Sequence, residues 1–299
     1  MPSPALCFTV LPMTEGYWQR FGGLARMIGR PAQERLAAAH VAIIGVGGVG
    51  SWVVEALARS GIGQLTLVDM DDVCITNFNR QLPAVEGNVG KPKIEALAER
   101  VRLINPECVV HQRYEFYTDS SEDRILAEPY SYVVDAIDRL SNKCALLAAC
   151  RERWQPVITL GSAGERLDPT LVQVQDLTKV VYDDLLKMVR KKLRAEYGFP
   201  RETRRHFKIP AVFSPEPQHG NPLVVPLKPV TDGTCENPLD PASRSGKGCD
   251  RGLGSAVFVT SVFGMVAAAE VVKRLLTPEQ VHQTGGQSLP QPSSPEFQD

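Results

Sequence analysis

Short apolar runs separated by amphipathic stretches dominate residues 41–160. The runs at 41–44, 65–69, 108–113, 131–135 and 156–160 have strand length, and Val41-Ala42-Ile43-Ile44 shows no polar alternation, the pattern of a strand buried on both faces of a parallel sheet. The intervening segments have helical period. Ser51 to Arg59 is one, and Lys91 to Asn105 is another, with Ile94, Leu97, Val101 and Ile104 on one stripe and Pro106 ending it. This alternation predicts an α/β fold with a doubly wound, mainly parallel sheet.

Beyond residue 160 the pattern changes. Leu171-Val172-Gln173-Val174 reads as a further strand and Asp183 to Tyr197 as a helix, followed by a proline-rich stretch from Pro200 to Pro241. Proline at that density forbids long helices, so the stretch is expected to be a surface excursion or crossover loop. Leu253 to Ala269 is almost uncharged but falls short of a membrane span and contains Ser255, Thr260 and Ser261, so a helix buried against the sheet or a dimer partner is expected. The expected organisation is a core at 13–176 with an N-terminal helical arm. A C-terminal extension at 177–276 completes the same fold, and a disordered tail rich in Gln, Ser and Pro covers 277–299.

Composition narrows the partners. With 299 residues, 43% of them hydrophobic, the chain can bury a full core. A formal net charge of −1 gives no global attraction to nucleic acid, so such a partner must find a local patch. The first residues lack the positive charge and apolar length of a secretory leader, which points to the cytoplasm. None of the seven cysteines forms a CxxC pair, so the spacing of a four-thiolate zinc site is absent and no zinc is expected. Cys144 and Cys150 lie in an apolar helical run and read as packing residues, while Cys235 and Cys249 fall in loop-like sequence.

The candidate chemistry lies at the ends of the first strands. Gly45, Gly47, Gly48 and Gly50 form a loop between a buried strand and a helix, where backbone amides converge on phosphate. Asp69 ends the next strand roughly 20 residues on, the spacing at which an acidic side chain meets ribose hydroxyls. That much would suit a dehydrogenase. A nicotinamide site, however, has no need of the cations that follow, Arg80 and Lys93, which suit the phosphates of ATP. Asp138 ends the run Val133 to Asp138 at the carboxyl edge of the sheet, where a hard carboxylate suits magnesium bridging phosphates. Capping of a helix beginning near Asn142 is the structural alternative for Asp138.

Together these spaced motifs resemble the ubiquitin-activating-type adenylating superfamily, from Tyr17 to about Leu160. The resemblance implies a Rossmann-like ATP-binding core. Gly48 and its loop would contact ATP, Asp69 the ribose, and Asn77 and Arg80 the phosphates. Asp71 would join the nucleotide site, Lys93 would meet the α-phosphate, and Asp138 would hold Mg2+. Arg20, in Trp18-Gln19-Arg20-Phe21-Gly22-Gly23, resembles the arginine that members of the superfamily extend across a homodimer into the neighbouring site. Arg139 stands where the superfamily usually carries Asn.

A cationic run then separates the branches. Lys187, Arg190, Lys191, Lys192, Arg194, Arg201, Arg204, Arg205 and Lys208 are opposed only by Glu196 and Glu202. Such a run suits a solvated helix face or an RNA backbone. Asn105-Pro106-Glu107-Cys108, Gly161-Ser162-Ala163-Gly164, Asp168-Pro169-Thr170 and Asp232-Gly233-Thr234 extend the resemblance to Leu276, toward the tRNA threonylcarbamoyladenosine dehydratases. This implies adenylation of the threonyl carboxylate, then intramolecular ring closure with release of AMP, beside the anticodon of tRNA. The superfamily also implies a sulfur-transfer partner protein. One alternative is an activator of a sulfur-carrier or ubiquitin-like protein C-terminus, another a nucleotide-gated binding scaffold. Intramolecular cyclisation needs no cysteine thioester.

Overall fold

A computed structural model describes residues 13–202, 205–218 and 254–277. Seven strands form one sheet in the order β3-β2-β1-β4-β5-β7-β6. They are β1 (His40–Ile44), β2 (Gln64–Val68), β3 (Val109–Arg113), β4 (Tyr132–Asp135), β5 (Val157–Leu160), β6 (Gln173–Asp176) and β7 (Pro210–Phe213). All neighbours run parallel except β6 and β7, which pair antiparallel. Every residue of β1, β4 and β5 is buried, as their unbroken apolar runs predict, whereas edge strand β3 is half-exposed and carries His111, Gln112 and Arg113.

Helices cover both faces. On one lie α2 (Arg30–Ala38), α3 (Gly50–Arg59), α4 (Lys93–Ile104) and α8 (Val257–Leu276), whose apolar faces share a core with β1 and β2. On the other, α6 (Leu140–Glu152) and α7 (Asp184–Glu196) pack around Leu146, Leu147, Leu186, Val189 and Leu193. The arm α1 (Glu15–Ile28) is capped by Thr14 and anchored where the Tyr17 hydroxyl donates to Gly61 O at 2.7 Å. The short α5 (Glu122–Ile125) precedes β4. Among the described residues no helix is long and apolar enough to cross a membrane. The apolar run near residue 260 is instead the middle of α8, with Val259, Phe263, Ala267 and Val271 buried.

One expectation is overturned. The proline-rich stretch is not all surface excursion, because β7 lies within it and sits between β5 and β6, fully buried. Proline is tolerated as the first residue of the strand, and Ala211-Val212-Phe213 supply its core. The strand expected at 171–174 begins two residues later, after a 3-10 turn at Pro169–Leu171. Cys235, Cys249, Arg204, the motif at 232–234 and the tail from 278 lie outside the described residues.

Strand order reverses between β1 and β4, and a parallel sheet opens a crevice there at its carboxyl edge. The loops after β1, β2 and β4 meet at that crevice.

Candidate functional site

The loop that follows β1 is packed as tightly as its glycines allow. Gly45 has φ +89°, and a Cβ there would come within 2.9 Å of Ala136 O, in the loop after β4. A Cβ on Gly50 would come within 2.0 Å of Gly45 O. A side chain at Gly45 would push the two crevice loops apart, and one at Gly50 would force the glycine loop itself open. Gly50 thus shapes the turn from behind, while Gly45, Gly47 and Gly48 line the cavity.

Asp69 ties this loop to the end of β2. Its carboxylate accepts from Val46 N at 2.8 Å and from Asp71 N at 2.9 Å. Burial raises its pKa, opposed by the nearby Lys93 charge and the two amides. Lys93 begins α4 and is itself buried, with Nζ 2.9 Å from Asp71 Oδ2. Arg80 folds over the glycine loop, its guanidinium donating to Thr76 O at 2.8 Å and to Asn79 Oδ1 at 2.9 Å. The Arg80 carbonyl in turn accepts from Trp52 Nε1 on α3 at 3.0 Å, which fastens the Arg80 segment to the helix that the glycine loop opens.

These residues line one cavity of about 410 Å3, within the range of about 300–1,000 Å3 typical of small-molecule sites. Gly45, Gly47, Gly48, Asp69, Asp71, Arg80, Lys93 and Asp138 all reach it. Asn77, Gly50 and Arg20 are not among its lining residues. Asn77 is buried, its Oδ1 accepting from Cys74 N at 3.1 Å. Arg20 is exposed on α1 and donates to Gly16 O at 3.0 Å. Helix α6 begins at Leu140, with Arg139 rather than Asp138 at its N-cap position.

A second wall completes the cavity. It comprises Leu160 to Glu165 after β5, Asp184 and Leu185 at the start of α7, Gln218, Ser255 and Thr260. A buried network builds this wall. Asp183 caps α7 by accepting from Leu186 N at 2.9 Å and holds Ser162 N at 2.9 Å. The buried Arg166 donates to Ser162 O at 2.9 Å and to Tyr182 O at 3.0 Å, and the Glu216 carboxylate accepts from Leu167 N and Asp168 N. No local pattern marks Glu165, Gln218 or Thr260 as cavity residues, since they converge only through tertiary structure. Asp183 had a readable signal, an acidic residue just before a helical pattern.

The cations of α7 divide by use. Lys187 and Lys191 are exposed, as are Arg205 and Lys208 further on. Arg190 donates to Leu177 O and Val180 O, and Arg194 donates to Pro200 O and stacks on Phe207. Lys192 pairs with Glu196 at 3.1 Å, and Arg205 with Glu202 at 3.2 Å.

A glycine loop, an acid at the second strand and converging cations on a doubly wound sheet define a nucleotide-binding protein of the adenylating type, and the chain belongs to the ThiF family, whose model matches residues 22–297. It is 45% identical to the tRNA threonylcarbamoyladenosine dehydratase of Haemophilus influenzae, over 90% of this chain and 97% of that protein. The Escherichia coli protein of the same name is 42% identical over 88% of this chain and 96% of its own length. A crystal structure of the E. coli tRNA N6-threonylcarbamoyladenosine dehydratase in complex with ATP superposes with a TM-score of 0.76, at 40% identity, covering 89% of this chain and 97% of that one.

Proposed function

We propose that this protein catalyses the ATP-dependent cyclising dehydration of threonylcarbamoyladenosine beside the anticodon of tRNA. The observation that carries the reading is one cavity of about 410 Å3 lined by the glycine loop, Asp69, Asp138 and the two cations Arg80 and Lys93, large enough for a nucleotide. Near full-length similarity to dehydratases supports the substrate. Asp69 would meet the ribose of ATP, the glycine-loop amides and Arg80 its outer phosphates, and Lys93, oriented by Asp71, its α-phosphate. The resemblance would add Asn77 to the phosphate contacts, and its side chain is buried beside the Arg80 segment, outside the cavity lining.

The threonyl carboxylate attacks the α-phosphorus, forming a C–O–P anhydride as the bond to the β-phosphate oxygen breaks and pyrophosphate leaves. Lys93 stabilises the charge that develops on the α-phosphate oxygens. A nitrogen or oxygen of the same threonylcarbamoyl unit then attacks the activated carbonyl, loses its proton and expels AMP. Tethering within one nucleoside gives this step a large effective concentration. Water's atoms are lost overall, the oxygen departing with AMP.

Asp138 would hold magnesium. Among the described residues no three His, Cys, Asp or Glu side chains form a metal cage, and magnesium bound by one carboxylate and the nucleotide's own phosphates needs none. Bound there, the ion neutralises phosphate charge. By family resemblance the protein works as a cytoplasmic homodimer, with Arg20 serving a neighbouring protomer's nucleotide, and takes a sulfur-transfer protein as partner.

Mass spectrometry of nucleosides from threonylcarbamoyladenosine-containing tRNA incubated with protein and ATP tests the reading. The expected result is loss of one water from the modified adenosine, accompanied by pyrophosphate. Asp138→Asn should retain ATP binding and abolish both products. Pyrophosphate release that depends on a carrier protein's C-terminus instead of tRNA would replace this reading with carrier activation.

A further inference from the structure

Beneath the loop that carries Asp138 lies a charge that the chemistry above does not use. Lys143, on the first turns of α6, is fully buried, as is Asp135 at the end of β4. The Lys143 ammonium lies 2.9 Å from Asp135 Oδ2 and donates to Asp135 O at 3.3 Å and to Ile137 O at 2.9 Å. Three donors therefore have three acceptors. Asp135 is equally occupied: Oδ1 accepts from Ile137 N at 3.1 Å and Oδ2 from Thr159 Oγ1 on β5 at 2.7 Å. Burial raises the Asp135 pKa, and the Lys143 charge is the largest influence opposing that rise.

Hydrophobic replacement of such a pair is often neutral for stability, so a buried ion pair is weak evidence of a stabilising role. Its geometry is the more informative feature. Two of the three ammonium contacts are to backbone carbonyls, one at the end of β4 and one in the crevice loop, on both sides of Ala136, whose own carbonyl packs against Gly45. In a trans peptide the C=O and the following N–H point in opposite directions, and the chain has no cis peptide among the described residues. With Ile137 O drawn inward to Lys143, the Asp138 N–H is turned away from the core, and Ile137 and Asp138 both line the cavity.

We propose that Lys143 is a positioning residue for the adenylation step: from below, its ammonium sets the 137–138 peptide and hence the direction of the Asp138 carboxylate and amide toward the nucleotide phosphates. The proposal rests on the adenylating function proposed above. It differs from a stability role in that turnover depends on the carbonyl contacts, whereas folding needs only that no buried charge be left alone.

The test uses Lys143→Met and the double variant Lys143→Met, Asp135→Asn. The single variant strands a buried carboxylate and is expected to lower the melting temperature or fail to fold. The double variant removes both charges, while Asn keeps an acceptor for Ile137 N and a polar partner for Thr159. It should melt close to the parent and bind ATP within about threefold by equilibrium dialysis, yet release pyrophosphate with kcat reduced by about tenfold to a hundredfold, the usual cost of losing support behind a site residue. A double variant with parental kcat, one whose loss lies entirely in ATP affinity, or one that does not fold overturns the proposal. A parent protein that leaves threonylcarbamoyladenosine unchanged defeats the functional reading itself, an outcome distinct from all three.

Discussion

At the residue scale, burial governs the titrating groups, and His40 at the start of β1 shows it outside the cavity. Its Nε2 lies 2.8 Å from Thr66 Oγ1, and its ring packs edge-on to Tyr130 at 4.8 Å and against His111 at 5.1 Å. Burial, aided by the His111 charge, lowers its pKa from 6.5 to about 4. The unfolded chain therefore takes up a proton between these values that the folded chain refuses. Stability contributed by neutral His40 is full above pH 6.5 and is lost as pH falls through about 4, on the order of 3 kcal/mol in all. Urea midpoints measured from pH 7.5 to 4.5 should fall more steeply for the parent than for His40→Gln, which keeps a polar group near Thr66 without the titration. Parallel curves would mean that His40 is freely protonated in the native state. Burial penalises the Asp135 charge in the same way, and the Lys143 ammonium beside it opposes that penalty.

At the scale of elements, the crossing of α3 and α8 determines how firmly the Arg80 segment is held. Gly264 of α8 lies against α3 so closely that a Cβ would come within 2.6 Å of Trp52 Cβ, 2.8 Å of Val49 O and 3.0 Å of Val53 N. Two of those neighbours are backbone and cannot turn aside. Gly264→Ala gains about 1 kcal/mol of helix propensity but should lose about 1–3 kcal/mol through forced separation of the helices. A lowered melting temperature together with weaker ATP binding is expected, because Trp52 Nε1 and Thr260 Oγ1 both donate to Arg80 O. A melting temperature above the parent's would show that the crossing relaxes without strain. Elements differ in how plainly the sequence announces them. Strands β1, β2, β4 and β5 were legible because each is a mainly apolar run beside a helical pattern, β3 because it follows an amphipathic helix that Pro106 ends, and Asp69, Lys93 and Asp138 because their chemistry recurs at strand ends and helix starts. Strand β7 was hidden, being four residues, Pro-Ala-Val-Phe, whose partners β5 and β6 are distant in sequence. Lys143 reads as an ordinary polar helix position, since only Asp135 in the folded chain explains its burial.

At the scale of the molecule, a net charge of −1 leaves any nucleic-acid contact to local geometry, and α7 is where that contact is expected. The helix begins at the cavity, where Asp184 and Leu185 line the second wall, and its 13 residues extend for about 20 Å at 1.5 Å per residue. A base placed in the cavity would leave its flanking phosphates free to follow this helix, past the exposed Lys187 and Lys191. The cationic run could not reveal which of its members are free to do so. Arg190 and Arg194 donate to backbone carbonyls and serve the fold, so mutating the whole run would confuse binding with stability. Lys187→Gln, Lys191→Gln, Arg205→Gln and Lys208→Gln combined should instead leave folding and ATP affinity close to the parent while weakening tRNA binding. For every cation that pairs with a phosphate, its neutralisation should reduce the slope of log affinity against log salt by about 0.7–0.9, the release of one condensed counterion. Filter-binding titrations across a range of salt concentrations give that slope directly. Parent and variant lines of equal slope would place the tRNA backbone on another surface, and a variant that also bound ATP more weakly would show that the exposed cations act on the nucleotide site instead.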